Sequence, residues 1–324
     1  MISFQNISKE KNAMRRTENV WGVVYCPKHE FWNVGKRWKR ICKCLENEHI
    51  DFDFVQSENA DSVERLVKMM VNNDYKTIII VGGDSAMNDA VNCLMQFDSK
   101  TRNEVSIGII PNGLMNDFAH FWGVKEGAIE ENISCLKQHR IRKIDVGYIK
   151  YKNKKEEDCR RYFLNCVNVG LVATIMNLRR KTRHFLGSRT LSFLFSFILL
   201  IFQRLEYKMH VKINTDEINR NVMTLCIGNA TGYGQTPSAV PYNGQLDVSL
   251  VYHPAFMQVL EGIYLFIRGK FLNHKSVHPY RTRKVEIVNA SKALVGVDGR
   301  LIPTPVGSYT VSVEQEALNF IIPV

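Results

Sequence analysis

The chain has 324 residues, of which 45% are hydrophobic and 23% are charged, and its formal net charge is +11. This composition is ordinary for a globular protein with a substantial core. It therefore excludes an intrinsically disordered chain and suggests two modest domains or one large one. The positive charge favours an anionic partner, which could be a nucleotide, an anionic membrane surface or nucleic acid.

The cysteines and the N-terminal segment indicate the cellular compartment. None of the eight cysteines forms a CxxC pair, and no His/Cys cluster has zinc spacing. Buried, reduced thiols are therefore favoured over disulfides or a zinc site. The first twenty residues are polar and charged and no apolar run follows them, so no secretory signal is predicted. These features predict a cytoplasmic protein.

In the first part of the chain, apolar strand patterns alternate with helical periodicity. Helix faces are marked by apolar residues at helical spacing, for example Val63, Leu66, Val67 and Met70. This alternation predicts a mostly parallel sheet that is covered by helices on both faces. The predicted elements are strand 21–25, helix 34–45, strand 52–55, helix 62–71, strand 77–81, helix 87–94, strand 105–110 and helix 115–122.

From about Ile144 the pattern changes to short β-rich runs that are separated by turn residues, with helical patterns at about 175–205 and 255–270. Such spacing is typical of an antiparallel sandwich or barrel. The charged run Lys150–Arg161 is predicted to be a solvated hairpin tip. The sequence thus predicts an α/β domain over residues 18–138 and an all-β domain over residues 139–313.

Two loops follow successive apolar strands, and each opens a helix. They are Ile80–Ser85 and Pro111–Ala119, and both contain glycine. Glycines at the C-terminal end of a parallel strand let the backbone approach a ligand, and a helix N-terminus favours an anion. Each loop alone is explained at least as well by a tight turn with Asp84, Asn116 or Asp117 as a capping group. The two loops together predict a shared phosphate site.

The ordered combination of these loops with later motifs resembles the catalytic domain of diacylglycerol-kinase-like lipid kinases. That group includes bacterial lipid kinases and sphingosine and ceramide kinases, and NAD kinases are more distant relatives. No single motif is specific, but together they follow the family's order across nearly the whole chain from Trp21. The motifs lie at Val81–Asn88, Pro111–Ala119, Lys143–Gly147, Tyr162–Asn165, Gly228–Asn229, Gln245–Val248 and Val297–Gly299.

The resemblance implies an N-terminal α/β nucleotide-binding domain followed by a β-sandwich domain for the lipid substrate. A terminal segment, about 314–324, would return to the first domain. It also implies ATP and Mg²⁺ as cofactors, with Asp84 near the metal ion. The implied nucleotide-binding residues are Gly82, Gly83, Asp84, Ser85, Asn88, Gly113, Asn116 and Asp117.

The resemblance further assigns Asp298 as the general base that takes the proton of the lipid hydroxyl, and it places Asp145 and Asp247 in an acidic network. A carboxylate that orients the nucleophile suits phosphoryl transfer, which depends mainly on positioning and charge stabilisation. The Asp298–Gly299 pair is independently a strong hairpin-turn signal. The two interpretations are compatible, because a tight turn can present a carboxylate.

The chain departs from the family's pattern at several positions, four of which put the activity in doubt. Ser85 and Ala86 stand where the family has Gly and Thr, Leu114 stands where it has Ser or Thr, and Arg300 replaces a Glu. The favoured interpretation is an ATP-dependent lipid kinase that acts on the hydroxyl of a neutral lipid such as diacylglycerol or a sphingoid lipid. A catalytically degenerate protein that binds nucleotide or lipid, and an NAD kinase-like enzyme, are the alternatives.

The lipid partner is predicted from charge and hydropathy. The apolar run Leu191–Phe202 follows several arginines and lysines, and a second basic stretch covers Arg268–Lys284. A peripheral contact with an anionic membrane is therefore predicted, although a buried helix explains the apolar run equally well. No nucleic-acid recognition module is present, so nucleic acid is not a predicted partner. The sequence leaves open whether the protein forms a homodimer.

Overall fold

The computed structural model describes residues 20–27, 34–58, 62–113, 116–186, 206–252, 258, 261–262, 264–265, 268–290 and 292–323. The strands are β1 Trp21–Tyr25, β2 Phe52–Gln56, β3 Thr77–Gly82, β4 Ser106–Pro111, β5 Ile141–Lys152, β6 Asp158–Phe163, β7 Cys166–Gly170, β8 Tyr207–Ile213, β9 Asp216–Val222, β10 Thr224–Gly228, β11 Leu246–Val251, β12 Val277–Thr282, β13 Lys284–Ala290, β14 Val295–Val297, β15 Arg300–Leu301 and β16 Val306–Ile321. The helices are α1 Val34–Asn47, α2 Ser62–Asn72, α3 Asp84–Leu94, α4 Ser99–Glu104, α5 Asp117–Phe121, α6 Ile129–Lys137 and α7 Leu171–Leu186.

The chain divides into two compact units. Unit 1 comprises residues 1–144 together with 316–324, and unit 2 comprises residues 145–315. The last strand, β16, contributes its C-terminal end to unit 1. The terminal nine residues therefore fold with the first part of the chain.

Unit 1 is built on a parallel sheet with the strand order β2-β1-β3-β4-β16. On one face, the side chains of Val23 and Val81 pack with Ile41 of α1 and Ile133 of α6. On the other face, Gly22 lies directly against Met70 of α2. The central strands β3 and β4 are wholly buried, as expected for a parallel sheet that is covered on both sides. The carboxyl ends of β3 and β4 lie side by side and carry the two predicted loops.

Unit 2 is an antiparallel β-sandwich. One sheet contains β16, β13, β8 and β9 with the hairpin β5–β6, and the other has the order β12-β11-β10-β7-β14-β15. Alternating side chains from both sheets meet in one core, which includes Val211 and Val285 from the first sheet and Val167, Leu225 and Val295 from the second. The predicted fold class, an α/β domain and an antiparallel β-sandwich, is confirmed.

Several elements differ from the sequence prediction. The strands β9 and β12 were not predicted, because both lie at sheet edges and each buries only two residues. Proline at position 279 of β12 fits an edge strand, since no central strand tolerates its missing N–H. Helix α4 buries no side chain and carries no apolar period, and α6 was also missed. The β-rich runs on both sides of Glu314–Glu316 form one strand, β16, rather than two.

The predicted membrane segment cannot be placed on the fold. Its apolar run at residues 191–202 lies outside the described residues, as does half of the predicted helix at 255–270. Among the helices of the described residues, none is both long enough and apolar enough to cross a bilayer.

Candidate functional site

The two glycine-bearing loops of unit 1 touch each other through their backbones. A Cβ atom added to Gly83 would lie 2.7 Å from the Cα atom of Gly113, which is closer than real contacts allow. The loops are brought together by the parallel register of β3 and β4, which pairs Gly82 with Pro111. The Asn112 N–H continues that pairing and donates to the Gly82 carbonyl at 2.8 Å. Only glycine fits at the crossing point of the loops.

Asn116 holds the second loop in shape. Its Oδ1 atom accepts the Gly113 N–H at 2.7 Å, and its Nδ2 atom donates to the Gly113 carbonyl at 3.2 Å. The residue is 1% exposed and has a φ of 51°, in the left-handed region that asparagine tolerates better than most residues. Asn116 occupies the N-cap position of α5, but its side chain stabilises the loop and does not cap the helix.

Asp84 caps the helix of the other loop. It is the first residue of α3, and its carboxylate accepts the backbone N–H groups of Asp117 and Phe118 at 3.0 and 3.1 Å. Capping by Asp84 was one predicted alternative, but the helix that it caps is α5 and not its own. Burial raises the pKa of Asp84 to about 6, although the hydrogen bonds from the backbone N–H groups of Asp117 and Phe118 lower it. Asp84 therefore ties the two loops together.

The N-terminus of α3 is available to an anion. Its N-cap residue is Gly83, and no side chain caps the first turn. Unpaired N–H groups at a helix N-terminus attract negative charge. Ser85 in that turn is exposed to solvent, whereas Asn88, one turn later, is buried and accepts a hydrogen bond from Asn92 Nδ2 at 3.1 Å. Of the predicted α3 residues, Ser85 thus has the exposure that a ligand contact needs.

The sequence analysis missed Arg37 of α1, which supports the second loop from behind. Its Nη2 atom donates to the carbonyls of Pro111 and Glu126 at 2.8 and 2.7 Å. The Glu126 carboxylate in turn accepts a hydrogen bond from Asn116 Nδ2 at 3.4 Å. Asn112, also overlooked, donates from its side chain to the Cys26 carbonyl at 2.9 Å. No sequence signal identifies the contacts of Arg37 and Asn112, because they join residues more than seventy positions apart in the chain.

Asp298 lies in unit 2, in the two-residue turn between β14 and β15. Asp298 and Gly299 both have positive φ values, 43° and 79°, as a type I′ hairpin turn requires, so the turn prediction is confirmed. The carboxylate accepts the backbone N–H groups of Leu164, Asn165 and Cys166 at 2.8–3.0 Å and is buried. Asp298 thus orders the segment that leads into β7, and its role as a general base stays a prediction.

The two other predicted carboxylates of unit 2 each have a partner of their own. Asp145 accepts the N–H of Gly244 at 2.6 Å. Asp247 forms a bidentate pair with Arg281 at 2.7 and 3.2 Å. The first contact stabilises the loop before β11, and the second is a cross-strand pair between β11 and β12. The acidic network stays a prediction. Arg300, which replaces the family's Glu, is partly exposed in β15 opposite Val297.

The residues that are described do not offer a prepared Mg²⁺ site. Mg²⁺ is bound through oxygen atoms, in most kinases one or two carboxylates plus phosphates and water. Both oxygens of Asp84 are already used by backbone N–H groups. Among the described residues, no group of three or more His, Cys, Asp or Glu side chains is arranged to hold a metal ion. Each Asp84 oxygen accepts one N–H group and keeps acceptor capacity, so its role near Mg²⁺ stays a prediction.

An α/β unit with paired glycine loops, followed by a β-sandwich, defines a class of nucleotide-dependent kinases, and comparison with known proteins agrees. The profile of the diacylglycerol kinase catalytic domain matches residues 22–149, and that of the YegS C-terminal NAD kinase beta sandwich-like domain matches residues 165–322. The chain therefore belongs to the diacylglycerol-kinase-like lipid kinase family.

Individual relatives are more distant. The "Putative lipid kinase YtlR" of Bacillus subtilis (strain 168) is 22% identical over 300 residues, which cover 88% of this chain and 94% of the relative. The "Diacylglycerol kinase" of Staphylococcus carnosus (strain TM300) is 20% identical, with 72% of each chain covered. A crystal structure described as a "putative diacylglycerol kinase" from Bacillus anthracis str. Sterne has a TM-score of 0.71 at 17% identity and covers 94% of this chain and 97% of its own. At that identity the structural likeness supports the fold alone.

Proposed function

We propose that this protein is an ATP-dependent lipid kinase that transfers the γ-phosphoryl group to the hydroxyl of a neutral lipid such as diacylglycerol or a sphingoid lipid. The observation that carries the proposal is the backbone contact between Gly83 and Gly113. It brings two glycine-bearing loops and an uncapped helix N-terminus together at the carboxyl edge of a parallel sheet. Open α/β sheets bind their ligands at this edge.

In this proposal the loops of unit 1 hold the phosphates of the nucleotide. Gly82 and Gly83 let the backbone come close to phosphate oxygens, and the first turn of α3 supplies N–H donors. Ser85 adds an exposed hydroxyl, which replaces the hydroxyl lost at Ala86. Asn116 and Asp84 act indirectly, because their side chains fix the loop at Gly113 and the start of α5.

Bound ATP supplies the phosphoryl group, and Asp298 is the proposed group that handles the lipid proton. The lipid hydroxyl oxygen bonds to the γ-phosphorus as the bond to the β–γ bridging oxygen breaks, and the hydroxyl proton passes to Asp298. Three backbone N–H groups keep the Asp298 carboxylate in place. A loose phosphoryl-transfer transition state demands orientation more than base strength, so such a carboxylate suffices.

The test is incubation of the purified protein with labelled ATP, MgCl₂ and a panel of lipids in mixed micelles. We expect label in one lipid class, and loss of that label in Asp298→Asn. Nucleotide-dependent thermal stabilisation should persist in that variant. Asp216→Asn, at an exposed position of β9, is the matched control and should keep full activity. If Asp298→Asn unfolds, its loss of label reflects the lost anchor for residues 164–166 and is not evidence for the base. A folded Asp298→Asn that still labels lipid would contradict the base.

A degenerate family member is the second candidate, and the motif changes favour it. Arg300 stands where the family has a carboxylate, and Ala86 lacks the usual hydroxyl. Nucleotide-dependent stabilisation without label in any lipid would support this candidate over an active kinase. Absence of both label and nucleotide stabilisation would contradict both candidates.

The proposal includes a peripheral contact with anionic membranes. In unit 2 the exposed cations Lys212, Arg283 and Lys284 line one groove of about 480 Å³. Clustered basic residues attract anionic lipid head groups at low salt. Vesicle sedimentation should show binding that depends on anionic lipid and weakens in Arg283→Glu/Lys284→Glu. The charge-matched control Lys39→Glu/Lys43→Glu on α1 should bind as the wild type does.

A further inference from the structure

Four parts of unit 2 that are far apart in the sequence meet in one network of buried hydrogen bonds. They are the start of unit 2 at Asp145, the segment 164–166, Asn229 and the turn at Asp298. The Asp298 carboxylate accepts the N–H groups of residues 164–166, and the Asp298 N–H donates to the Cys166 carbonyl at 3.0 Å. The position of the Asp298 carboxylate therefore depends on the backbone of segment 164–166.

Asn229 fixes that segment through its side chain and through its backbone. Its Nδ2 atom donates to the carbonyls of Leu164 and Asp145 at 3.1 and 3.0 Å, and its N–H donates to the Asn165 carbonyl at 2.9 Å. Asn229 is 0% exposed, and Leu164, Asn165 and Asp145 are buried as well. Because bulk solvent does not reach these groups, removal of the Asn229 side chain would leave two buried carbonyls without this donor.

The loop that begins at Asn229 makes further contacts with the same region. The Gly232 N–H donates to the Oδ1 atom of Asn165 at 3.1 Å. A Cβ atom built on Gly299, in the turn between β14 and β15, would lie 3.4 Å from the Tyr233 hydroxyl. The loop thus lies against both the segment and the turn that hold the Asp298 carboxylate.

We propose that Asn229 is a positioning residue for Asp298 in phosphoryl transfer. Asn229 holds segment 164–166 with three hydrogen bonds, and the N–H groups of that segment hold the carboxylate. The inference rests on the proposed function, in which Asp298 takes the proton of the lipid hydroxyl. A displacement of about 1 Å at a reacting group can lower the rate by about a hundredfold, so the support of this carboxylate bears directly on turnover.

A general stabilising role in the loop is the competing explanation, and Thr236 provides the matched control. Thr236 is 1% exposed, and its hydroxyl donates to the Ala230 carbonyl at 2.9 Å within the same loop. In the described part of the chain, the hydrogen bonds of Thr236 stay within residues 230–239. Thr236→Val therefore removes one buried hydrogen bond of the loop and leaves the contacts to segment 164–166 in place.

The first test measures phosphorylation of the lipid that the wild type labels, with purified full-length variants. We expect Asn229→Ala to lower kcat by about 10- to 100-fold while the KM for ATP stays within about twofold. Asn229→Ser keeps one hydroxyl donor, so its kcat should lie between those of Asn229→Ala and the wild type. Thr236→Val should keep the wild-type kcat. A wild-type kcat in folded Asn229→Ala, or an equal loss in Thr236→Val, would overturn the proposal.

Hydrogen exchange followed by peptide mass spectrometry gives a second readout that does not require activity. Asn229→Ala should speed exchange at residues 164–166, whose N–H groups bind Asp298, and Thr236→Val should leave it at the wild-type rate. Unchanged exchange at residues 164–166 would overturn the proposal, and Asn229→Ser takes over both comparisons if Asn229→Ala does not fold. A wild type that labels no lipid would contradict the proposed function, and exchange alone would then decide whether Asn229 holds Asp298.

Discussion

Gly83 and Gly113 are positions at which the structure has no room for a side chain. A methyl group on Gly83 would lie 2.7 Å from the Gly113 Cα atom, and neither backbone can move without disturbing its strand. We predict that Gly83→Ala destabilises unit 1 by about 1–3 kcal/mol, the usual range for overpacking. Nucleotide affinity should fall by at least about tenfold, or 1.4 kcal/mol.

Gly127→Ala is the matched control for this prediction. No atom outside its chain neighbours lies within 4 Å of a Cβ at Gly127, so the variant should keep its stability within about 0.5 kcal/mol. Calorimetric titration with a nucleotide and hydrogen exchange of the unit 1 peptides measure the two effects. Wild-type nucleotide affinity in Gly83→Ala would contradict the assignment of the loops to the phosphates.

The raised pKa of Asp84 predicts that the stability of the protein depends on pH. Its pKa is raised from 3.8 to about 6 in the folded protein, so the fold favours the protonated form. The associated stability is fully present below pH 4 and is lost as the pH rises through about 6. Relative to Asp84→Asn, the wild type should lose up to about 2 kcal/mol of unfolding free energy between pH 4 and pH 7.

Urea unfolding across that pH range measures this loss, and the ¹³C carboxyl resonance of Asp84 should titrate with a midpoint near 6. Asp216→Asn, at an exposed position, should follow the wild-type pH dependence. A midpoint near 4 for Asp84 would show that burial does not control this carboxylate.

The sequence predicted which residues meet at this site better than it predicted what each one does. Glycines after two parallel strands lie at one sheet edge, so the sequence predicted a shared site for the two loops. The contact between Gly83 and Gly113 depends in addition on the pairing of β3 with β4, which order and spacing do not fix. The role of Asp84 does not follow in this way, because the helix that it caps begins thirty-three positions later in the chain. Local pattern cannot distinguish a cap on its own helix from a cap on a neighbouring one.

At the scale of elements, helix α1 stabilises the second loop through Arg37. Its guanidinium donates to two backbone carbonyls, at Pro111 and Glu126. Arg37→Met should cost about 3–6 kcal/mol, since it removes two hydrogen bonds from a charged group and each contributes about 1.5–3 kcal/mol. It should also weaken nucleotide binding, because the loop that contains Gly113 loses its support.

Arg40 lies on the same helix and provides the control. Its exposed ion pair with Glu130 at 2.8 Å should contribute no more than about 1 kcal/mol, so Arg40→Met should retain nucleotide binding. Thermal unfolding with and without nucleotide compares the two variants. Equal losses in both would mean that Arg37 supports the helix in general and not the loop.

The elements that the sequence left unpredicted share a physical cause. Strands β9 and β12 have one paired side and little apolar alternation, because an edge strand need not bury both faces. Helix α4 begins at Ser99 after Asp98, which accepts the Thr101 N–H at 3.0 Å, but it has no buried face. The periodic spacing of hydrophobic residues is the main sequence signal for a helix or strand. A helix or strand that does not contact the core is therefore not predicted from it.

At the scale of the whole molecule, the sheet of unit 1 is completed by the last strand of the chain, β16. The family resemblance predicted that the terminal segment returns to the first domain, whereas composition and periodicity gave no such indication. In the structure, Asn319 and Phe320 of β16 pair in parallel with Ser106 and Ile107 of β4. The sheet that carries both glycine loops is therefore finished by residues more than two hundred positions away.

Phe320 makes this dependence testable. Its ring is fully buried and packs 5.2 Å from the ring of Phe118 in α5 and 5.5 Å from that of Trp122. Phe320→Ala should cost about 3–5 kcal/mol, as expected for a large buried aromatic side chain. Because Phe118 follows the second glycine loop directly, the variant should also lose nucleotide-dependent stabilisation.

Val306→Ala is the control for Phe320→Ala, since Val306 begins the same strand and is 42% exposed. Hydrogen exchange followed by peptide mass spectrometry gives the decisive measurement. Phe320→Ala should speed exchange in β4 and α5 of unit 1, and exchange in β10 and β11 of unit 2 should change far less. Uniform acceleration across both units would contradict the view that the terminal strand stabilises unit 1 in particular.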